Sequence, residues 1–196
     1  MSQETKSPDG KPIIEFQAKS AWISWLKENH DKSLGVWLRL AKKDSGLASI
    51  SRSEALDVAL CYGWIDGMAK SEGSETWLQK FTPRAKRSIW SKKNRENVQR
   101  LIESGEMQPS GLAEIERAKS DGRWDAAYDS PRTIAVPDDL RQALEKKKKA
   151  TRFFESLDSR NRYAVLFRIH HAKRPETRAR RIKEFVEMLA RGDKLH

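Results

Sequence analysis

The sequence predicts an α+β fold, in which a small antiparallel or mixed sheet is packed by helices and followed by an all-helical C-terminal part. Segments that alternate like strands and are rich in β-forming residues occur between residues 34 and 82. Apolar residues at helical spacing flank these segments, and from Pro137 to the end they are the dominant pattern. Strands and helices segregated along a chain are typical of α+β proteins.

The predicted sheet has three strands, at residues 34–41, 64–69 and 75–82. The first consists mostly of β-forming residues that alternate around Arg39. A Ser-Glu-Gly-Ser sequence at residues 71–74 has the composition of a turn, so the second and third strands are predicted to form a hairpin.

Capping residues set the predicted boundaries of the helices that pack on this sheet. Ser20 is predicted to cap a helix at residues 20–30. Ser51 and Glu54 have the spacing of a capping box, which predicts a second helix at residues 51–61. Both helices are expected to bury large apolar side chains against the sheet.

Further helices are predicted after the sheet. Ser91 is expected to cap a helix that runs to about Ser104, and another helix covers roughly residues 111–120. In the C-terminal part, Asp158 or Ser159 is expected to cap a helix with a strong apolar stripe.

Composition divides the chain into three predicted parts. Residues 1–12 are polar and contain Pro, Gly and Ser, which predicts a flexible N-terminal arm. Residues 13–128 contain every predicted strand and form the α+β core domain. Residues 129–196 form the helical C-terminal region.

Charge and cysteine content restrict the partners and the compartment. The 39 Lys and Arg residues exceed the 28 acidic residues by 11, which favours an anionic ligand, an acidic protein partner or nucleic acid. The single cysteine, Cys61, excludes an intramolecular disulfide and favours the cytoplasm, while its late-helix position predicts a small buried apolar residue. No signal peptide and no transmembrane segment are expected from the hydropathy of the sequence, and the oligomeric state stays open.

Residues 80–100 are the strongest candidate for a ligand site, because cations alternate there with aromatic residues. A predicted helix start at the end of this stretch adds backbone N–H donors for an anion. Alternatively, the aromatic residues lie in the core and the cations form a solvated rim. The candidate anion- or ligand-binding residues are Arg84, Lys86, Arg87, Trp90, Ser91 and Asn94.

Asp66, between Ile65 and Gly67, is the one weak catalytic candidate. Its carboxylate would act as a general base if it lay in an aromatic and basic pocket. The alternative is a structural role, in which Asp66 pairs with Arg39 or Arg84 because an unpaired buried carboxylate is costly. Recognised catalytic motifs do not occur in the sequence, and no cofactor or metal site is predicted.

Five motifs carry a resemblance to a known family: EALDVALCYGWIDG (54–67), WLQKFTPR (77–84), SIWSKKN (88–94), GLAEIERAKSDGRWDAAY (111–128) and AKRPETRARRI (172–182). In this order they resemble the YdeI/OmpD-associated family, also called bacteriocin-protection proteins, over about residues 34–192. The resemblance implies a cytoplasmic, stress-related role and carries over no catalytic residues. The first hypothesis is therefore a protection protein that binds an anionic ligand or a protein partner. The alternatives are a nucleic-acid-binding module without sequence specificity and an enzyme that uses Asp66.

Overall fold

The computed structural model describes Ser7 and residues 9–196 and confirms the α+β class. The chain divides into two compact units. The first unit comprises residues up to Trp90 together with 94–127, and the second comprises 91–93 together with 128–196. Of the arm predicted for residues 1–12, residues 1–6 and 8 lie outside the described part of the chain. The three-part division predicted from composition stays a prediction.

The first unit contains a mixed sheet of four strands among the described residues: β1 (Ile13–Glu15), β2 (Val36–Ala41), β3 (Trp64–Glu72) and β4 (Thr76–Pro83). The strand order is β1-β2-β4-β3, with β1 parallel to β2 and the other neighbours antiparallel. The hairpin predicted from the turn sequence is present as β3 and β4. Strand β1 was not predicted, because three residues are too short to show an alternating pattern.

A β-bulge interrupts the hairpin where its register shifts between Asp66 and Ala69. The buried side chain of Gln79, on β4, fills this irregularity. Its amide nitrogen donates to the carbonyl oxygens of Gly67 at 2.9 Å and Met68 at 3.2 Å. A side chain thereby satisfies backbone groups that the regular ladder leaves without a strand partner.

The described residues form eight helices: α1 (Lys19–Asn29), α2 (Arg52–Cys61), α3 (Lys92–Glu103), α4 (Pro109–Ser120), α5 (Asp138–Glu145), α6 (Lys148–Ser156), α7 (Ser159–His170) and α8 (Pro175–Ala190). The predicted capping box of α2 is confirmed. The cap predicted for α1 is wrong, since Ala18 is its N-cap and Ser20 lies inside the helix. Asp158 caps α7 by accepting from the N–H of Asn161 at 2.8 Å.

Tryptophan side chains dominate the core of the first unit. Trp22 stacks on Trp25 with ring centroids 5.3 Å apart and meets Trp64 edge-on at 6.4 Å. The buried indole N–H groups of two of these residues find backbone acceptors: Trp22 donates to Ala55 at 3.1 Å and Trp64 donates to His30 at 3.0 Å. These bonds remove the cost of burying a polar N–H inside a large apolar ring cluster.

Two glycines allow α4 to approach the end of α2. Gly63 has φ of +76°, which ends α2 as its sequence position predicts. Gly111 lies inside α4, where an added Cβ would be 2.2 Å from the carbonyl oxygen of Cys61. Since no side chain fits there, this close approach fixes α4 beside the C-terminal end of α2.

The core of the second unit is built from four helices and contains no tryptophan among its residues. Its buried side chains are mainly aliphatic, with Phe154 and Phe185 as the aromatic members. Leu140, Leu166 and Leu189 are almost completely inaccessible to solvent. This core is separate from the aromatic core of the first unit.

Candidate functional site

The candidate site in the first unit is the segment that follows β4, residues 84–90, which we name the basic loop. The backbone N–H of Arg84 donates to the carbonyl of Gly63 at 3.0 Å and anchors the loop at its start. A β-turn follows, in which the N–H of Ser88 donates to the carbonyl of Ala85 at 2.9 Å. The turn places Lys86 and Arg87 at its two central positions.

Three guanidinium groups donate to backbone carbonyls of the basic loop. Arg84 donates to the carbonyl of Ile89 at 3.3 Å. From outside the loop, Arg117 on α4 donates to the carbonyl of Ala85 at 3.4 Å, and Arg123 donates to that of Ser88 at 2.6 Å. The three carbonyl oxygens therefore face cations within the unit.

Arg84 and Trp90 form the buried base of the loop. The guanidinium of Arg84 lies 3.6 Å from the ring centroid of Trp90, within cation–π range. Only 6% of Arg84 and 2% of Trp90 are exposed to solvent. Trp90 in turn meets Trp124 edge-on at 5.0 Å. The structure therefore places these two predicted site residues in the core, where they support the loop from below.

Lys86 and Arg87 are the accessible cations of the basic loop. Both side chains are exposed, and neither makes a hydrogen bond or ion pair within the described residues. The described peptide bonds are trans, so each N–H points away from the carbonyl of the preceding residue. Because the carbonyls of Ala85 and Ser88 face the guanidinium groups, the N–H groups of Lys86 and Ile89 point to the opposite side.

The electrostatic balance around the basic loop is positive. Of the three inner cations, Arg117 is paired with Glu114 and Arg123 with Asp121. The hydrogen bond from Arg123 holds the pKa of Asp121 below its ordinary value, so this carboxylate stays charged near neutral pH. Lys86 and Arg87 have no such partner within the described residues, and they leave the loop with a surplus of positive charge.

Two buried N–H donors add to the positive electrostatic potential around the basic loop. The indole nitrogen of Trp90 and Nε of Arg117 have no hydrogen-bond acceptor within the part of the chain that the structure describes. Most buried donors in folded proteins are paired. The positive ends of these N–H dipoles thus lie in a medium of low polarity without a neighbouring acceptor.

The remaining predicted site residues lie elsewhere. Ser91 belongs to the second unit, where it immediately precedes α3 and forms an isolated bridge with Tyr128. Asn94 belongs to the first unit and lies half-buried in the first turn of α3. The basic loop itself therefore brings together Arg84, Lys86, Arg87 and Trp90.

Asp66 forms an ion pair with Arg52 on α2, so both partners predicted for it are wrong. The strand order gives the reason, because β4 lies between β2 and β3 and separates Arg39 from Asp66. Arg39 instead binds Glu72 through two hydrogen bonds of 2.7 and 3.0 Å. With Arg84 stacked on Trp90, the carboxylate of Asp66 serves a structural ion pair.

Cys61 lies at the buried end of α2. Burial raises the pKa of its thiol to about 11, so the thiol remains protonated at neutral pH. A protonated thiol is a poor nucleophile. The structure thus agrees with the interpretation of Cys61 as a small apolar residue.

Sequence reasoning missed Arg117 and Arg123, which complete the basic loop. They lie about thirty residues beyond the loop along the chain and reach it by donating to its carbonyls. Their spacing carries no signal, since arginine is common on exposed helix faces and in turns. The glycine at position 111, inside α4, is the sequence feature that corresponds to the close packing of this helix.

These features define an α+β protein with an exposed basic loop that is held by one buried and two half-buried arginines. Residues 14–114, which are 101 of its 196 residues, match the family model described as Domain of unknown function (DUF8412), and the chain belongs to that family. Residues 133–192 match the model described as Bacteriocin-protection, YdeI or OmpD-Associated, which confirms the resemblance seen in the sequence. No curated protein and no solved structure is significantly similar to the chain.

None of the helices in the described residues has the length and apolar character needed to cross a membrane.

Proposed function

We propose that this chain is a cytoplasmic protein of the bacteriocin-protection type that acts by binding an anionic ligand at the basic loop. The observation that carries this proposal is the orientation of the loop. Its carbonyl oxygens face three guanidinium groups, while Lys86, Arg87 and backbone N–H groups face outward. The match of residues 133–192 to the bacteriocin-protection family supports the protein type in this proposal.

A phosphate group is the ligand chemistry that suits this arrangement best. Outward N–H groups of a turn provide directional donors for phosphate oxygens, as in other anion-binding turns. Lys86 and Arg87 provide charge at the same turn, and Arg87 is able to bind two phosphate oxygens at once. The guanidinium groups of Arg84, Arg117 and Arg123 act indirectly, because they fix the loop and keep the local potential positive.

The proposed compartment is supported by the state of Cys61. It is the one cysteine of the sequence, and burial keeps its thiol protonated. A chain with this cysteine usage has no need of an oxidising compartment. Cell fractionation followed by immunodetection tests the proposal, and recovery of the chain in a membrane or extracellular fraction would count against it.

Calorimetric titration with pyrophosphate tests the proposed ligand site. The double substitution Lys86→Ala with Arg87→Ala is expected to weaken binding about fivefold to thirtyfold, since each lost charge contact contributes about 0.5–1 kcal/mol. The matched control is Lys27→Ala with Lys32→Ala, which also removes two exposed cations from the first unit. Equal weakening in both variants would show a general charge effect and reject the loop as the site.

Binding to nucleic acid without sequence specificity is a second candidate, favoured by the charge of the second unit. That unit holds 20 of the 39 Lys and Arg residues but only 10 of the 28 acidic residues. A random single-stranded oligonucleotide is expected to bind with an affinity that falls steeply as salt rises. The Lys86 and Arg87 variant should change this affinity little, and absence of binding at low salt would exclude the candidate.

A further inference from the structure

Helices α5 and α8 of the second unit line an open groove of about 610 Å³, which we name the α5–α8 groove. This volume lies within the range of about 300–1,000 Å³ that is typical of sites for small ligands. The groove uses none of the residues of the basic loop. Its lining residues are Asp139, Ala143, Lys146, Lys147, Pro175, Arg178, Ala179, Ile182, Lys183, Val186 and Glu187.

The floor of the groove is apolar. Ile182 and Val186 lie one turn apart on α8 and present the edges of side chains that are otherwise part of the core. Ala143 on α5 and Ala179 on α8 line the groove beside them. Their small side chains leave room between the two helices, which larger apolar residues at these positions would fill.

One end of the groove is closed by an ion pair. Arg178 donates to both carboxylate oxygens of Asp139, at 2.5 and 2.9 Å, and to the carbonyl of Ile169 at 2.9 Å. Arg178 holds the pKa of Asp139 below its ordinary value, so the pair is charged on both sides near neutral pH. These two groups satisfy each other and leave no net charge at this end.

The rest of the rim is basic. Lys146 and Lys147 follow the last turn of α5, and Lys183 lies on α8. None of these three ammonium groups has an ion-pair partner within the described residues, and Glu187 is the one acid among the remaining lining residues. Lys146 keeps helical backbone angles and lies seven residues after Asp139, which is about 10 Å along the helix axis.

From this arrangement we propose that the α5–α8 groove binds a small amphiphilic anion, with an apolar body about 10 Å long and one carboxylate or phosphate head group. The apolar body lies on Ala143, Ala179, Ile182 and Val186. The head group is held by Lys146, Lys147 and Lys183. The separation of an apolar floor from a basic rim supports an amphiphile over a purely polar anion, and the volume of about 610 Å³ suits a small molecule.

Binding of decanoate, monitored by NMR, tests this proposal directly. The methyl signals of Ile182 and Val186 are expected to shift on addition of decanoate, because these side chains form the floor. Decyltrimethylammonium, which has the same apolar chain and the opposite charge, is expected to bind at least about tenfold more weakly. Equal binding of the two probes, or shifts confined to other methyl groups, would overturn the proposal.

Two double variants distinguish binding by the lysines of the basic rim from a general effect of net charge. Lys146→Glu with Lys147→Glu is expected to weaken decanoate binding about tenfold or more. Lys148→Glu with Lys149→Glu is the matched control, because these exposed lysines belong to the same run and do not line the groove. Equal weakening in both double variants would overturn the assignment of the head-group end.

Filling the groove tests the apolar floor without changing charge. Ala179→Phe places a large ring at an exposed helix position, so the helix is expected to keep its fold. Loss of decanoate binding with an unchanged circular dichroism spectrum is the expected result. Unchanged binding in this variant would overturn the proposal.

Discussion

The two units of the chain differ in the chemistry of their cores and in their charge. The first unit contains all seven tryptophans and 19 basic against 18 acidic residues, which leaves a formal charge of +1. The second unit contains no tryptophan and 20 basic against 10 acidic residues, which gives +10. Nearly all the net charge of the chain therefore belongs to the unit that has the simpler, aliphatic core.

This difference changes how the net charge of +11 is interpreted. From the whole sequence, the charge supports the basic stretch at residues 80–100 as a ligand site. Divided between the units, it shows that the basic loop is a local concentration of cations in a nearly neutral unit. The second unit is cationic over most of its sequence. The two family matches fall largely on the same two parts of the chain, at residues 14–114 and 133–192.

The largest expected effect is a loss of stability of the first unit alone. Gly111→Ala is expected to lower the free energy of unfolding by about 3 kcal/mol, because its Cβ would meet the backbone oxygen of Cys61. Urea denaturation followed by tryptophan fluorescence reports on this unit, since every tryptophan belongs to it. Gly73→Ala is the control for backbone strain without a clash, with φ of +66°, and should cost about 1 kcal/mol. Similar losses in both variants would contradict the close helix approach.

The next effect concerns the stability of the first unit at alkaline pH. The folded pKa of Cys61, about 11, is above the ordinary value of 9.0, so the folded state holds the thiol proton more tightly. The contribution of this proton to the free energy of unfolding is fully present below pH 9 and is lost as pH rises through 11. We expect a loss of about 2 kcal/mol over this interval. The Cys61→Ala variant should lack that part of the pH dependence, and an identical profile in both proteins would contradict the buried thiol.

A higher salt concentration is expected to change the stability of the two units by different amounts. Repulsion among the surplus cations of the second unit is screened when salt is raised to about 0.5 M. The amide of Leu166 should therefore exchange more slowly, by an equivalent of about 1 kcal/mol, while that of Leu38 should change less. Hydrogen exchange measured by NMR distinguishes the two amides. An equal response in both units would show that the uneven charge has no energetic consequence.

The smallest effect is expected for Asp66→Asn. Its ion pair with Arg52 is on the surface, where 52% of the arginine side chain is exposed, so its loss should cost less than about 1 kcal/mol. Chemical denaturation of the purified variant checks this value. Unfolding of the variant would mean that the carboxylate has a larger structural role in the first unit than the ion pair indicates.

Local signals in the sequence predicted much of the fold. The capping box at Ser51 and Glu54 predicted the start of α2, and the turn at residues 71–74 predicted the hairpin, because both depend on residues close together in the chain. Ser20 failed as a cap because the helix already begins at Lys19, and Ala18, which has no capping side chain, adopts the extended backbone of the N-cap.

The candidate site was predicted less completely. Lys86 and Arg87 were found from composition, since exposed cations near aromatic residues need no knowledge of the fold. Arg117 and Arg123 were missed, because their contacts with the basic loop depend on how α4 packs. The partner of Asp66 was predicted wrongly because sequence order does not reveal that β4 lies between β2 and β3.

The sequence by itself determined the fold class, the helix and hairpin signals, the net charge and the family resemblance of this protein. These properties follow from composition and from interactions between residues a few positions apart. The tertiary structure alone decided that Arg84 and Trp90 are buried, that Asp66 pairs with Arg52, and that the surplus charge belongs to the second unit. Each of these depends on contacts between distant segments, which form only when apolar side chains from those segments are buried together.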